Sequence, residues 1–179
     1  VNIGLNGSFA SWVGTIVPRV DQQILLIVDE GRQEEAILRL ARVGYDKCLG
    51  FLQGGIDAWK NAGLTTDTIL SVTAEEYHKH YDIVNNKILD VRKESEYNTE
   101  HIIGAQNIPL DYVQNRIEEV NPKKTTYVHC AAGYRSMIFV SLLRKKGFTN
   151  LINIEGGFSA LKNLQKLPLS EYVVQSTEL

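Results

Sequence analysis

An internal repeat constrains the fold of this chain more than any other feature of its sequence. Residues 52–61 and 154–163 share two adjacent glycines, an alanine, a lysine and an asparagine at the same spacing. Upstream of each segment lies a helical stretch that ends in Gly and an aromatic residue, and before that lies an apolar run typical of a strand. Self-similarity of this kind predicts a chain built from two copies of one supersecondary unit.

The two copies are unequal, and we predict domains at residues 1–68 and 69–179. The second copy has about 35 residues before its Asn107-Ile108 pair, whereas only Val1 precedes the matching Asn2-Ile3 pair. We interpret the first copy as one that has lost its opening strand and helix, so that the parent protein would extend upstream of Val1. A naturally shortened copy is the alternative.

Strands and helices alternate along the second copy. Thr73 and Glu76 have the spacing of a capping box and predict a helix over residues 74–80. Strands are predicted at residues 87–91, 105–108, 126–129 and 151–154, and helices at residues 110–120, 135–146 and from 157 onward. This alternation predicts an α/β fold with a mostly parallel sheet flanked by helices.

Composition and charge exclude several classes of function. The formal net charge is −2, which argues against a nucleic-acid-binding or polybasic membrane role. The longest apolar run, residues 24–28, is far too short to span a bilayer, and no signal peptide is visible. Two cysteines exclude a disulfide scaffold. We therefore predict a cytoplasmic protein that needs neither a metal nor another cofactor.

The cysteine at position 130 is the strongest candidate for chemistry. Cys130 ends an apolar strand, four small or aromatic residues follow, and Arg135 opens a helix. The free N–H groups of a helix N-terminus and a nearby Arg stabilise a thiolate or a bound anion. Gly133 lets the loop curl so that its amides point inward. The alternative, a small buried hydrophobic residue, fits Cys48 better, because Cys48 has none of these neighbours.

Residues 130–136, Cys-Ala-Ala-Gly-Tyr-Arg-Ser, resemble the active-site loop of rhodanese-like sulfurtransferases, in which four residues separate Cys from Arg. Residues 89–92 and 101–109 are similar to further motifs of that family, and Gly156-Gly157 resembles its closing glycine motif. The resemblance covers about 100 residues, 71–170. Three positions depart from the family pattern: Glu100, Ile103 and Leu161. The resemblance to this family implies two rhodanese-like units, of which only the second is active.

The resemblance also implies a mechanism and a set of site residues. The Cys130 thiolate would take the outer sulfur of a donor, thiosulfate or a persulfide, and become a persulfide itself. A thiol, cyanide or sulfite would then accept that sulfur. Arg135 would hold an anionic donor, and the loop amides would cradle the persulfide. The expected substrate-binding residues are Ala131, Ala132, Gly133, Tyr134, Arg135 and Ser136.

Two other functions stay open at this point. Cysteine-dependent phosphatases and arsenate reductases have five residues between Cys and Arg, which makes a wider cup for a tetrahedral oxyanion. The four residues here favour sulfur over phosphate. The other alternative is a non-catalytic regulatory or partner-binding module in which Cys130 acts as a redox sensor.

The first copy lacks the chemistry of the second. Its strand runs from residue 25 to Val28 and into Asp29 and Glu30, with no cysteine and with a loop that we expect to be about two residues shorter. We predict that this copy is catalytically inactive, and either helps to shape the active site or only packs. Residues 2–12 resemble the segment after a metallo-β-lactamase-fold domain in fusions related to persulfide dioxygenases. Such an upstream domain, with its metal, would lie outside this chain.

The remaining candidates favour structural roles. His78 and His80 are expected on a solvated helix face, and His129 should point away from the thiol because neighbours on a strand face opposite sides. Asp90 and Arg92 are predicted to form a salt bridge that supports the loop.

Overall fold

The computed structural model describes residues 1–81 and 87–173, which group into two compact units. Residues 3–68 form one unit, and the chain from residue 69 forms the other together with the first two residues. The first unit contains α1 (Phe9–Ile16), β1 (Ile24–Leu26), α2 (Gln33–Ala41), β2 (Cys48–Phe51) and α3 (Gly55–Asn61). Strands β1 and β2 pair in parallel.

A small apolar cluster holds this first unit together. Phe9 and Val13 from α1 pack with Leu40 from α2 and with Tyr45. The Tyr45 hydroxyl donates a hydrogen bond of 2.7 Å to the carbonyl of Val17 just after α1. Helix α1, which the sequence analysis did not predict, therefore belongs to the core of this unit.

The second unit is a five-stranded parallel sheet with helices between its strands. Its elements are β3 (Ser71–Val72), α4 (Ala74–Lys79), β4 (Lys87–Asp90), α5 (Glu94–Thr99), β5 (Gln106–Asn107), α6 (Val113–Arg116), β6 (Thr126–His129), α7 (Tyr134–Lys145), β7 (Leu151–Ile154) and α8 (Gly157–Asn163). The strand order is β3-β7-β6-β4-β5, and every pairing is parallel. The predicted α/β fold with a parallel sheet and flanking helices is confirmed.

The register of the central strands fixes where a ligand can bind. Asp90 at the end of β4 lies opposite His129 at the end of β6, and the Val91 N–H donates to the His129 carbonyl at 2.9 Å. The residues that follow these two strands, Val91 and Cys130, therefore lie at the same edge of the sheet. That edge, beyond the carboxyl ends of parallel strands, is where open α/β sheets bind their ligands.

Apolar packing covers the sheet and anchors its helices. Helix α7 packs against β6 and β7, and five of its twelve residues are buried apolar side chains. Helices α4 and α8 pack together over the sheet. Their shared cluster contains Ala74, Tyr77, Ile88, Ile102, Ala105, Ile154, Phe158, Leu161 and Leu167. Burial of this kind stabilises the folded state by about 25 cal/mol per Å² of apolar surface removed from water. The packing therefore keeps the strands, and the loops at their ends, in fixed positions.

Local signals set the ends of several elements as expected. The Glu76 N–H donates to the Thr73 hydroxyl at 3.1 Å, and the Thr73 N–H donates to the Glu76 carboxylate at 2.8 Å, which is the predicted capping box. Strands β6 and β7 have the predicted bounds. Residues 110–120 differ, because two short 3₁₀ turns, Leu110–Tyr112 and Ile117–Glu119, flank α6 where one helix was predicted.

The repeated segments adopt the same local backbone. Gly54 and Gly156 both have left-handed φ angles, 74° and 68°. A Cβ on Gly54 would lie 2.9 Å from the Cβ of Ala58, and one on Gly156 would lie 2.7 Å from the Cβ of Ala160. Each glycine is thus required both by its backbone conformation and by the side chain four residues later.

Residues 1–81 and 87–173 contain neither a membrane-spanning helix nor a cluster of metal-binding side chains. No helix in those ranges is long and apolar enough to cross a membrane. Nor do three or more His, Cys, Asp or Glu side chains there come together in a group that could hold a metal ion.

Candidate active site

Cys130 lies between the central strand β6 and helix α7. The turn of residues 131–133 ends at Gly133, whose φ of 100° lets the chain reverse directly into the helix. Only 1% of Cys130 is exposed, so its thiol lies at the bottom of the loop. The location at a strand end before a helix N-terminus agrees with the sequence analysis.

The Gly133 N–H and the Ser136 hydroxyl both approach the sulfur atom. The backbone N–H of Gly133 donates to Cys130 Sγ at 3.2 Å. The Ser136 hydroxyl lies 3.7 Å from the same sulfur and donates to the Gly133 carbonyl at 3.0 Å. Ser136 is buried, so its hydroxyl keeps a fixed place beneath the loop. The Gly133 N–H is thus placed to stabilise negative charge on the sulfur while Cys130 reacts as a nucleophile.

Backbone N–H groups of helix α8 donate hydrogen bonds to the active-site loop. The Phe158 N–H donates to the Cys130 carbonyl at 2.7 Å, and the Ser159 N–H donates to the Ala131 carbonyl at 3.1 Å. Both donors belong to the first turn of α8, whose N–H groups have no partner within the helix. The carbonyls of Cys130 and Ala131 therefore point toward α8.

Gly157 makes this contact sterically feasible. A Cβ at this position would lie 2.4 Å from the Cys130 carbonyl oxygen and 2.8 Å from the carbonyl carbon of Ala131. Its φ of 56° is also left-handed. The closing glycine motif thus acts on the active-site loop itself, a role that the sequence analysis did not assign to it.

Arg135 is held by an acidic side chain from another helix. Its Nη1 and Nη2 donate to the two carboxylate oxygens of Glu96 in α5, at 2.6 and 2.8 Å. The Arg135 guanidinium holds the pKa of the Glu96 carboxyl below its usual range, and Glu96 in turn raises the pKa of Arg135. Both groups therefore stay ionised near neutral pH. The expected role of Arg135, to hold an anionic donor, stays a prediction.

The predicted salt bridge between Asp90 and Arg92 forms at the end of β4 and packs against α8. Arg92 donates to the Asp90 carboxylate from Nε at 2.9 Å and from Nη2 at 2.6 Å, and both side chains are buried. The guanidinium carbon of Arg92 lies 3.9 Å from the centre of the Phe158 ring. This stack links the end of β4 to the first turn of α8, and α8 holds the Cys130 loop.

His129 is a buried structural residue. Its Nδ1 lies 3.2 Å from the Cys130 carbonyl oxygen, and its ring stacks on Phe158 with centroids 6.2 Å apart. Burial lowers the pKa of His129, outweighing the opposing effect of Asp90, so the imidazole is neutral at pH 7 and Nδ1 is the donor to the carbonyl. No polar group within hydrogen-bonding distance of Nε2 occurs among the described residues.

The equivalent turn of the first unit, residues 28–32, has no cysteine. A Cβ on Gly55 would lie 2.9 Å from the Val28 carbonyl oxygen, so Val28 takes the place that Cys130 has beside Gly157. Four residues, 29–32, separate Val28 from α2, whereas three separate Cys130 from α7. The expectation of a shorter loop in the first copy is therefore wrong. That this unit is a truncated, inactive rhodanese-like domain stays a prediction.

The remaining loop residues differ in their exposure to solvent. Ala132 is exposed at the turn, and Ala131 and Tyr134 are half-buried. His101 stacks on Tyr97 with ring centroids 3.8 Å apart, and its Nδ1 lies 2.9 Å from the Tyr97 carbonyl oxygen, so it packs against α5. Glu96 is the site residue that the sequence analysis missed, because 39 residues separate it from Arg135.

Comparison with known proteins agrees with this geometry. The rhodanese-like domain family matches residues 73–164, about half of the chain. The chain belongs to the rhodanese-like domain family. The match contains the whole candidate site, from the strand that carries Asp90 to helix α8.

Relatives at moderate identity carry names from sulfur chemistry. The thiosulfate sulfurtransferase PspE of Escherichia coli is 40% identical over 70 residues, which cover 38% of this chain and 67% of PspE. The putative sulfur carrier protein YrkF of Bacillus subtilis is 33% identical over 106 residues, 59% of this chain and 55% of YrkF. These names support membership of a family associated with sulfur transfer.

A solved structure supports the fold. The rhodanese-related protein of Thermoplasma volcanium superimposes with a TM-score of 0.51 at 27% identity. The superposition covers 56% of this chain and 97% of that protein. The unit from residue 69 onward thus has the rhodanese fold.

Proposed function

We propose that this chain is a sulfurtransferase, in which Cys130 carries sulfur as a persulfide from a small donor to a nucleophilic acceptor. The observation that carries the proposal is the Gly133 N–H directed at Cys130 Sγ at 3.2 Å, in a turn closed by Arg135. Cys130 lies at the end of strand β6 and just before the N-terminus of helix α7, and its sulfur atom accepts a hydrogen bond from the loop. The names of the sulfurtransferase relatives give independent support.

The first step loads the enzyme with sulfur. The Cys130 thiolate attacks the outer sulfur of the donor, a new S–S bond forms, and the old S–S bond of the donor breaks. The leaving group, a thiolate or sulfite, departs with the bonding electron pair. The Gly133 N–H, already directed at Sγ, needs no reorganisation during this step, which is how fixed dipoles lower a barrier.

The second step returns the thiolate. A thiol, cyanide or sulfite attacks the outer sulfur of the Cys130 persulfide, and the bond between the two sulfur atoms breaks toward Cys130. No net oxidation or reduction of the protein occurs, so the cycle needs no redox cofactor. The 1% exposure of Cys130 favours donors and acceptors whose reacting atom stands at the tip of a narrow group.

Loop length separates this proposal from phosphoryl or arsenate chemistry. Four residues lie between Cys130 and Arg135, and the carbonyls of Cys130 and Ala131 are bound by α8. A tetrahedral oxyanion needs a wider ring of amides than this short turn offers. A non-catalytic module, the other alternative, predicts no turnover with any sulfur donor.

Turnover tests the proposal. The assay is formation of thiocyanate from cyanide with thiosulfate or glutathione persulfide as the donor, in the wild type and in Cys130→Ser. The matched control is Cys48→Ser, because Cys48 lies in β2 outside the site. We expect thiocyanate from the wild type and from C48S and none above background from C130S. Activity that survives in C130S, or is absent from the wild type, would contradict the proposal.

The proposed partners are a small sulfur donor and a thiol or cyanide acceptor. The upstream metallo-β-lactamase-fold domain, inferred from residues 2–12, remains a proposal about the parent protein. A native mass well above that of this chain would support it, and a native protein that starts at Val1 or one Met earlier would contradict it.

A further inference from the structure

We propose that Glu96 makes the site select against doubly charged sulfur donors, so that persulfides of small thiols are used in preference to thiosulfate. This inference rests on the proposed sulfurtransferase function and narrows its donor class. It comes from the contact between α5 and the active-site loop, which brings a carboxylate to the only arginine of that loop.

The contacts fix Glu96 in place. Its Oε2 accepts from Arg135 Nη1 at 2.6 Å and from the backbone N–H of Lys93 at 3.1 Å, and its Oε1 accepts from Arg135 Nη2 at 2.8 Å. The side chains of Arg135 and Glu96 are 17% and 34% exposed. The paired geometry is the bidentate one that arginine prefers for a carboxylate. Two of the N–H groups that an anionic donor would use are therefore already bonded.

The ion pair between Arg135 and Glu96 determines the net charge around the active-site loop. Within residues 130–136, Arg135 is the one cationic side chain, and the Cys130 thiolate is the reacting anion. Arg92, at the end of β4, is buried and paired with Asp90, so that pair adds no net charge. Thiolate, guanidinium and Glu96 carboxylate together carry one net negative charge. Without the carboxylate, the same cluster would be neutral.

Donor charge then matters for the loading step. Thiosulfate is a dianion, and its sulfane sulfur is transferred with release of sulfite. A persulfide R–S–SH approaches with one negative charge or none, and the attack of the Cys130 thiolate releases the thiolate R–S⁻. Repulsion by a net negative site grows in proportion to the charge of the donor. Glu96 therefore penalises thiosulfate more than a persulfide.

The experiment measures how fast each donor loads Cys130. Single-turnover persulfide formation is followed by intact mass with thiosulfate, with the persulfide of N-acetylcysteine, and with the persulfide of its uncharged amide. The variants are Glu96→Gln, which removes the charge, and Glu96→Asp, which keeps it. Glu94→Gln is the matched control, because Glu94 is an exposed carboxylate of the same helix α5.

The proposal predicts a change in the ratio of rates. In E96Q, loading by thiosulfate relative to the amide persulfide should rise about fivefold at low salt and less at high salt, as screening reduces the repulsion. The N-acetylcysteine persulfide should lie between the two. E96D should keep the wild-type ratio even if its rates are lower, and E94Q should match the wild type.

Other outcomes would overturn the inference. An equal change for all three donors in E96Q would mean that Glu96 only positions Arg135. A fall in thiosulfate loading relative to the amide persulfide would mean that Glu96 favours the dianion. An equal rise in E94Q would assign the effect to general surface charge. No loading of the wild type by any donor would instead overturn the proposed function, and this inference with it.

Discussion

Replacing Gly157 with Ala tests the link between α8 and the active-site loop. The new Cβ would lie 2.4 Å from the Cys130 carbonyl oxygen, so the loop or the helix has to move. The left-handed backbone costs an L-residue about 1–2 kcal/mol. Overpacking against fixed backbone adds about 1–3 kcal/mol. We expect the free energy of unfolding to fall by about 2–5 kcal/mol in total.

The matched control is Gly147→Ala. Gly147 also has a left-handed φ, 93°, but a Cβ there would meet no atom within 4 Å. G147A should therefore lose only the backbone contribution, about 1–2 kcal/mol. Urea unfolding followed by far-UV circular dichroism measures both variants. If G157A and G147A lose the same free energy, the loop does not depend on the close approach of α8, and the reasoning is wrong.

The buried charges of the site give two further predictions. Burial lowers the pKa of His129, so below about pH 6.5 the unfolded protein binds a proton that the folded protein does not. The free energy of unfolding should therefore decrease as the pH is lowered from about 6.5, by at most about 1.4 kcal/mol per pH unit. In His129→Gln, urea titrations between pH 5 and 7 should show a shallower slope, and an unchanged slope would contradict the assignment. Asp90→Ala leaves Arg92 buried without its partner and should cost about 3–5 kcal/mol in urea unfolding. The double variant with Arg92→Met should lose less than D90A alone, and a larger loss would refute the electrostatic explanation.

Elements with a local signal could be predicted from the sequence. Strands β6 and β7 are short segments rich in β-branched, aromatic and aliphatic residues, and the Thr73–Glu76 capping box is a contact between residues three apart. Helix α7 was placed to within one residue at each end, because basic residues and Gly147 mark its C-terminus. In each case the deciding interaction lies within a few residues of the chain.

Features that depend on distant residues could not be predicted in this way. Helix α5 buries none of its six residues, so it lacks the apolar periodicity that marks a helix. The pairing of Glu96 with Arg135 depends on how β4 and β6 are aligned, which the sequence between them does not reveal. The same holds for Gly157, whose glycine signal was visible although its contact with Cys130 was not.

The most direct test of the central claim is the mass of the reduced protein before and after treatment with thiosulfate or glutathione persulfide. We predict that the wild type gains the mass of one sulfur atom, that cyanide removes it, and that Cys130→Ser shows no gain. A wild-type protein that stays folded and gains no sulfur from either donor would contradict the account. So would a gain that persists in C130S, because the sulfur would then be carried elsewhere.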